Sequence, residues 1–306
     1  MKYGLIFSGQ GSQYPMMGYN IYNKYEYVRE MYDKASLILG YDITKICFTE
    51  NEYLNQTIYT QPAMLITEIS IYEVLKREYN INPEILSGFS LGEYAALYTS
   101  KTFSFEDIFK IINLRAKSMH EDSLHHSGMM VAVIGLSYNQ VTAACNMVTG
   151  VYVANYNTEN QIIISLLKEK LDEITSILKS MGAKRIIPLN VSGAFHSPFM
   201  KNSSDKVYEL LSNIDISTLQ TNVLLNVDAC EANIISLKEK MRDQIIKPVL
   251  FHNIIQKLIS DYSLDIIIEI GPGNVLTNFF KKYDHNIKLI NIEDLKDFQK
   301  LMWGRN

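Results

Sequence analysis

Residues 85–97 read ILSGFSLGEYAAL: two apolar residues, a serine with glycines two positions to either side, then a run of helix formers. A strand that turns directly into a helix leaves no room for side chains at the flanking positions of the turn. Gly88 and Gly92 fit that demand, and Ser90 would then present its oxygen at the edge of a sheet, with the free N–H groups of a helix start behind it. The stretch reads as a β-turn-α unit, and G-x-S-x-G is the nucleophile-elbow pattern. Five residues of this kind are also met in ordinary glycine-rich turns, so the rest of the chain must decide.

Other segments extend the α/β reading. YGLIF at 3–7 is a short buried strand running into the glycine loop SGQGSQ. Residues 61–79 carry helical spacing at Leu65, Ile69, Tyr72 and Leu75, with Pro62 placed near the start, where a missing N–H does no harm. DIIIEIGPGNVLTNFF at 265–280 joins an apolar strand, a tight turn and a helix, and an apolar strand without alternation suits a parallel sheet covered on both faces. A further helix begins near Ser104, with Asp107 three positions on as a capping-box pattern, and its apolar stripe Ile108, Ile111, Ile112 and Met119 is interrupted by Arg115. A charge on a buried stripe needs a partner. It can be an internal carboxylate, a route to the surface, or an anionic ligand.

From Gly128 the texture changes. MMVAVIGL, YNQVTAACNMV, VYVANY, QIIISL, KEKLDEITSILKSMG and AKRIIPLNV follow one another as βαββαβ, the split-βαβ order of a ferredoxin-like unit. The expected architecture is α/β: a large α/β-hydrolase-like subdomain with a parallel sheet, residues 1–127 and 192–306, and an inserted ferredoxin-like subdomain, residues 128–191.

A chain of 306 residues is long for one compact unit, and 47% hydrophobic with 20% charged residues suits a globular protein. A net charge of −4 gives no reason to expect nucleic acid or an anionic membrane. Cys47, Cys145 and Cys230 lie far apart, which implies neither disulfides nor zinc. With no secretory leader and no apolar run of roughly 18 residues, the expected location is the cytoplasm. The loop Gly9–Gln13 fits neither phosphate-binding glycine pattern, although its N–H groups can still face an anion.

A serine nucleophile needs a base. Of six histidines, His125 and His126 sit in a polar stretch and His285 in the charged KKYDHN, all read as surface. His196, between small residues and a Ser197-Pro198 helix entry, leads modestly over His120 and His252.

GQGSQ (9–13), TQPA (60–63), GFSLGEYAAL (88–97), Arg115, GAFHSPFM (193–200), QIIKPVLF (244–251) and GPGNVLT (271–277) form one ordered series along nearly the whole chain. Together they resemble the malonyl-CoA:acyl carrier protein transacylases, including the trans-acting acyltransferases of polyketide synthases. The resemblance implies Ser90 as the acylated nucleophile, His196 as its base, and the backbone carbonyl of Gln244 in place of a triad acid. It implies an oxyanion hole from the N–H groups of Gln10 and Leu91, Arg115 on the malonyl carboxylate, and Gln61 and Phe195 at the acyl site. The partners implied are malonyl-CoA and an acyl carrier protein, in fatty acid or polyketide synthesis, with no cofactor beyond those thioesters, no metal, and a monomeric enzyme. Two positions depart from the family pattern: Phe89 stands where histidine is usual, and Ser8 where proline is usual. Two other readings fit the scaffold, an acyl hydrolase acting on carrier-bound chains and a non-catalytic docking module. Arg115 speaks against the first, and the set Ser90, His196 and Arg115 against the second.

Overall fold

A computed structural model of the chain describes residues 1–301. Nine strands are present among them: β1 (Tyr3–Phe7), β2 (Pro83–Gly88), β3 (Gly128–Ile134), β4 (Val151–Thr158), β5 (Gln161–Leu167), β6 (Arg185–Pro188), β7 (Asn222–Leu224), β8 (Ile266–Ile270) and β9 (Lys288–Ile292). They form two sheets. One is wholly parallel, in the order β7-β2-β1-β8-β9.

The apolar runs of β1 and β8 have a direct use there. Alternate side chains leave opposite faces of a strand, so Leu5, Phe7, Ile266, Ile268 and Ile270 enter one core. Ile6 and Ile267 enter a second core on the other face. The helices Glu26–Leu39, Thr57–Tyr79 and Phe105–His125 cover the first face, and Phe251–Ser260 with Val275–Phe280 the second. Glu269 is the polar exception in β8. Its buried carboxylate accepts the Leu276 and Thr277 N–H groups at 2.9 and 2.7 Å, satisfying donors that open the next helix.

The second sheet is antiparallel, in the order β4-β5-β3-β6. This is the strand order of a split βαβ unit, with helices Tyr138–Asn146 and Leu171–Ser180 over one face. Backbone bonds tie it to the rest of the chain: Val249 N–H donates to Ala154 O at 2.9 Å and Tyr156 N–H to Val249 O at 2.8 Å. Ser165 of β5 also donates its hydroxyl to Phe195 O, beside His196. No helix among the described residues is long and apolar enough to cross a membrane.

Two local expectations are corrected. The long helix begins at Thr57, not 61, so Pro62 is inside it. The helix is buried on every side along most of its length, and its packing outweighs the one backbone bond that proline forgoes. Ser104 does cap its helix, accepting Asp107 N–H at 3.0 Å, yet Asp107 Oδ2 receives the Ser104 hydroxyl instead of closing the box on the backbone.

The turn at 88–92 is as tight as its glycines require. A Cβ on Gly88 would lie 2.0 Å from the Gly92 carbonyl carbon, and one on Gly92 would lie 2.3 Å from Phe7 O and 2.4 Å from Ser8 O. Gly40, by contrast, has a positive φ of 79° and open space around it. Gly92→Ala is expected to cost about 3 kcal/mol or more, because backbone must move, while Gly40→Ala costs about 1 kcal/mol of conformational strain. Urea unfolding of both variants checks this, and equal midpoints would contradict it.

Candidate active site

Ser90 lies between β2 and the Gly92–Thr99 helix, with φ at 53°, the left-handed region that non-glycine residues seldom occupy. Several bonds hold it there. Its N–H donates to Asn226 Oδ1 at 2.7 Å, and Asn226 Nδ2 donates to Gly88 O at 2.7 Å. Asn226, just past β7, is itself fixed by its N–H donating to Glu93 Oε2 at 2.6 Å. Burial pushes the Glu93 carboxyl up to about 8, against the opposing pull of that N–H and of the Arg115 charge. On the other side Gln244 Nε2 donates to Ser90 O at 2.7 Å.

His196 approaches the serine from the loop before the Pro198–Met200 turn, and it too has a left-handed φ of 53°. Its Nδ1 lies 2.8 Å from Gln244 O and its Nε2 2.7 Å from Ser90 Oγ. A carbonyl can only accept, so Nδ1 carries the proton, and Nε2 presents its lone pair to the serine hydroxyl. Burial first, and then the Arg115 charge, lower the imidazole pKa to about 4 against the backbone bonds that favour the cation. At neutral pH His196 is an uncharged base.

Arg115 is 1% exposed, and its recorded hydrogen-bond partners are all neutral. Nη1 donates to Gln61 Oε1 at 2.6 Å, while Nη2 donates to Ser90 Oγ and Gln244 Oε1, each at 3.2 Å. The guanidinium lies over the Tyr94 ring at 5.0 Å, and Nε has no partner among the described residues. Of the three explanations for a charge on the helix stripe, an internal ion pair and a surface route are thus set aside.

These groups border a cavity of about 210 Å³. Its apolar walls include Phe89, Phe195, Phe279, Met119, Ile163 and Val191, and Asn155, Asn157 and Gln161 line it from the antiparallel sheet. Asn157 Oδ1 is buried without a partner. The backbone N–H groups of Gln10 and Leu91, two further lining residues, meet no acceptor among the described residues. Donors free of acceptors beside a serine–histidine pair can stabilise an oxyanion, so the arrangement suits acyl transfer.

Residues 5–296 match the acyl transferase domain family. The chain is 36% identical over 311 residues to the malonyl CoA-acyl carrier protein transacylase of Staphylococcus aureus, covering 100% of this chain and 99% of that one. The chain belongs to the malonyl-CoA:acyl carrier protein transacylase family. A solved transacylase of Streptococcus pneumoniae superimposes with a TM-score of 0.93 at 37% identity, covering 98% of this chain and 99% of that one. A malonyl-transacylase solved in complex with a type II polyketide acyl carrier protein gives 0.93 at 30% identity, covering 98% of each chain.

All eight site residues expected of a transacylase therefore meet around Ser90. Four of the other five histidines have their contacts or exposure elsewhere. His252 Nδ1 pairs with the Tyr283 hydroxyl at 2.6 Å, with its ring against Tyr156. His285 bonds to Phe280 O, His125 is exposed, and His126 packs on Phe199. Asn226, Asn155 and Asn157 escape sequence reasoning: the partners of Asn226 come from distant segments, and the other two reach the cavity only through the packing of the antiparallel sheet. The one available signal for Asn226 is its place after the apolar run Val223-Leu224-Leu225, just beyond the carboxyl end of a parallel strand.

The depressed His196 pKa makes a signed prediction. Imidazole must be neutral to accept the serine proton, so Ser90 labelling by an uncharged fluorophosphonate should stay fast as pH falls through 6.5 and decline only near 4. Arg115→Met removes a nearby positive charge and should move that decline to higher pH. A wild-type midpoint near 6.5 would contradict the burial argument.

Proposed function

We propose that this chain transfers malonyl from malonyl-CoA to the phosphopantetheine thiol of an acyl carrier protein through a malonyl-Ser90 intermediate. The observation that carries the reading is Arg115, a buried guanidinium with neutral partners, one of them the nucleophile oxygen at 3.2 Å. A buried cation without a counter-ion suits a substrate that brings a carboxylate, and the planar fork of Arg grips one bidentately. Malonyl offers that carboxylate two bonds from the thioester carbonyl.

In this reading the Ser90 hydroxyl gives its proton to His196 Nε2 as Oγ attacks the thioester carbon. Charge on the carbonyl oxygen is met by the N–H groups of Gln10 and Leu91. Collapse of the tetrahedral adduct breaks the carbon–sulfur bond, and the coenzyme A sulfur leaves with the proton held at Nε2. The carrier thiol then enters by the reverse steps: His196 takes its proton, sulfur attacks the acyl carbon, and Ser90 recovers its hydroxyl. Gln244 O keeps the imidazole in the right tautomer throughout. Gln61 holds Arg115 in place, and Asn157 Oδ1 offers an acceptor to a pantetheine amide N–H. No cofactor enters these steps. In this reading the enzyme works as a monomer in the cytoplasm, where its coenzyme A donor is found. The carrier can come from fatty acid or polyketide synthesis, since the same thiol ends both.

Intact-mass analysis after incubation with malonyl-CoA tests the intermediate: the malonyl adduct should appear in the wild type and vanish in Ser90→Ala. His196→Ala should slow acylation by roughly 100- to 10,000-fold. An adduct persisting in Ser90→Ala would place the nucleophile elsewhere.

Donor choice is tested separately. Arg115→Ala should shrink the preference for malonyl-CoA over acetyl-CoA by about tenfold or more, the value of a charge-assisted bond, and equal loss for both donors would make Arg115 structural. Phe195, 6% exposed in the wall beside His196, leaves little space for an α-methyl group. Malonyl-CoA should outcompete methylmalonyl-CoA by roughly 10- to 200-fold in kcat/KM.

A further inference from the structure

Ser8 and Glu68 meet at the root of the loop that carries Gln10, and the steps above use neither. Ser8 follows β1, is 2% exposed, and stands where the family usually has proline. Its N–H donates to Ile270 O at 3.0 Å, which extends the β1–β8 pairing by one residue. Its hydroxyl donates to Glu68 Oε1 at 2.8 Å. A proline could make neither bond.

Glu68 projects from the Thr57–Tyr79 helix and is wholly buried. The Ser8 hydroxyl bonds its Oε1, and Oε2 has no partner among the described residues. Burial raises its pKa well above the usual carboxylate range, and the Glu269 charge adds to the rise against the bond from Ser8. The pair fills the space over Gly271, where a Cβ would come 2.2 Å from Ser8 Oγ and 3.1 Å from Glu68 Oε1.

Little slack separates this contact from the site. A Cβ on Gly9 would meet Phe89 Cδ1 at 2.7 Å and Phe89 O at 2.8 Å, so the backbone there is wedged against the nucleophile turn. Gln10 comes next, with its side-chain amide donating to Thr57 Oγ1 at 3.1 Å. A shift of Ser8 must therefore reach the Gln10 N–H.

We infer that Glu68 is a positioning residue for acyl transfer, which fixes through Ser8 the loop whose Gln10 N–H faces the developing oxyanion. The inference rests on the role given to Gln10 under the proposed function. A wild type that never acylates Ser90 ends that reading. An active wild type with indifferent variants ends only this one.

The test compares Glu68→Met, Ser8→Ala, the double variant and Glu68→Gln, reading acylation by malonyl-CoA alongside melting temperature. Each of the first two strands a buried polar partner, whereas the double variant replaces both by apolar groups, which is nearly neutral for stability. Both single variants should melt lower and acylate at least about tenfold slower at saturation, with KM within about twofold, because the loop acts on the transition state. The double variant should regain melting temperature yet stay slow. Glu68→Gln, which keeps an acceptor for Ser8, should stay within about threefold of wild type. Rates that recover with the melting temperature in the double variant, rates unchanged in either single variant, or a slow Glu68→Gln would overturn the inference.

Discussion

The close approach of Gly92 to the end of β1 is the constraint from which the site follows. With no Cβ at 92, the Gly92–Thr99 helix can start against Phe7 O and Ser8 O. That contact brings together the elbow after β2 and the glycine loop after β1, two segments 80 residues apart in the chain. Leu91 and Gln10 then line one cavity. A left-handed Ser90 costs free energy by itself. It persists because its N–H and C=O are both taken, by Asn226 and Gln244. Gln244 also receives His196 Nδ1 on its backbone oxygen, so one residue positions nucleophile and base together.

Around this frame the electrostatics are deliberately unbalanced. Arg115 is buried with amide and hydroxyl partners, and the acid whose charge it feels, Glu93, is held near neutrality by burial. The same positive charge disfavours protonation of His196. In the proposed function an arriving carboxylate changes two things at once: it neutralises Arg115, and it relieves the pressure on the imidazole to stay uncharged. In that reading, acceptance of the Ser90 proton becomes easier when a dicarboxylic acyl group is bound, and acyl selection and base strength are coupled through one guanidinium, without a carboxylate in the triad.

What the sequence discloses follows from how local each cause is. The elbow is legible because its glycines answer a clash within five residues, and Arg115 because an arginine breaks a helical stripe set by its own neighbours. The split βαβ unit shows itself through uninterrupted alternation of apolar runs and helix formers. Asn226 is silent, since its partners Gly88 and Glu93 lie more than 130 residues away. β7, three residues long, is too short for a period to show. Pro62 misleads for a related reason: a helix buried all round owes its start to packing, which outweighs the local preference of proline for a first turn.

Phe89, the departure beside the nucleophile, can be weighed on the same footing. Its ring packs edge-on against Phe251 at 5.2 Å and lies 6.3 Å from Phe279, on the side of the turn facing the second core. Ser90 takes its hydrogen bonds from Asn226, Gln244, His196 and Arg115, none of which touches that ring in a polar contact. Exchanging a histidine for phenylalanine there removes no bond that the reaction requires. It gives the cavity an apolar rim, continuous with Phe279, and its Cδ1 and carbonyl oxygen leave no room for a Cβ on Gly9. The other departure, Ser8, lies one residue before that pressure point. The two unusual positions thus bracket the backbone leading to Gln10: one adds a hydrophobic wedge, the other two hydrogen bonds, and both restrain the residue proposed as an oxyanion donor.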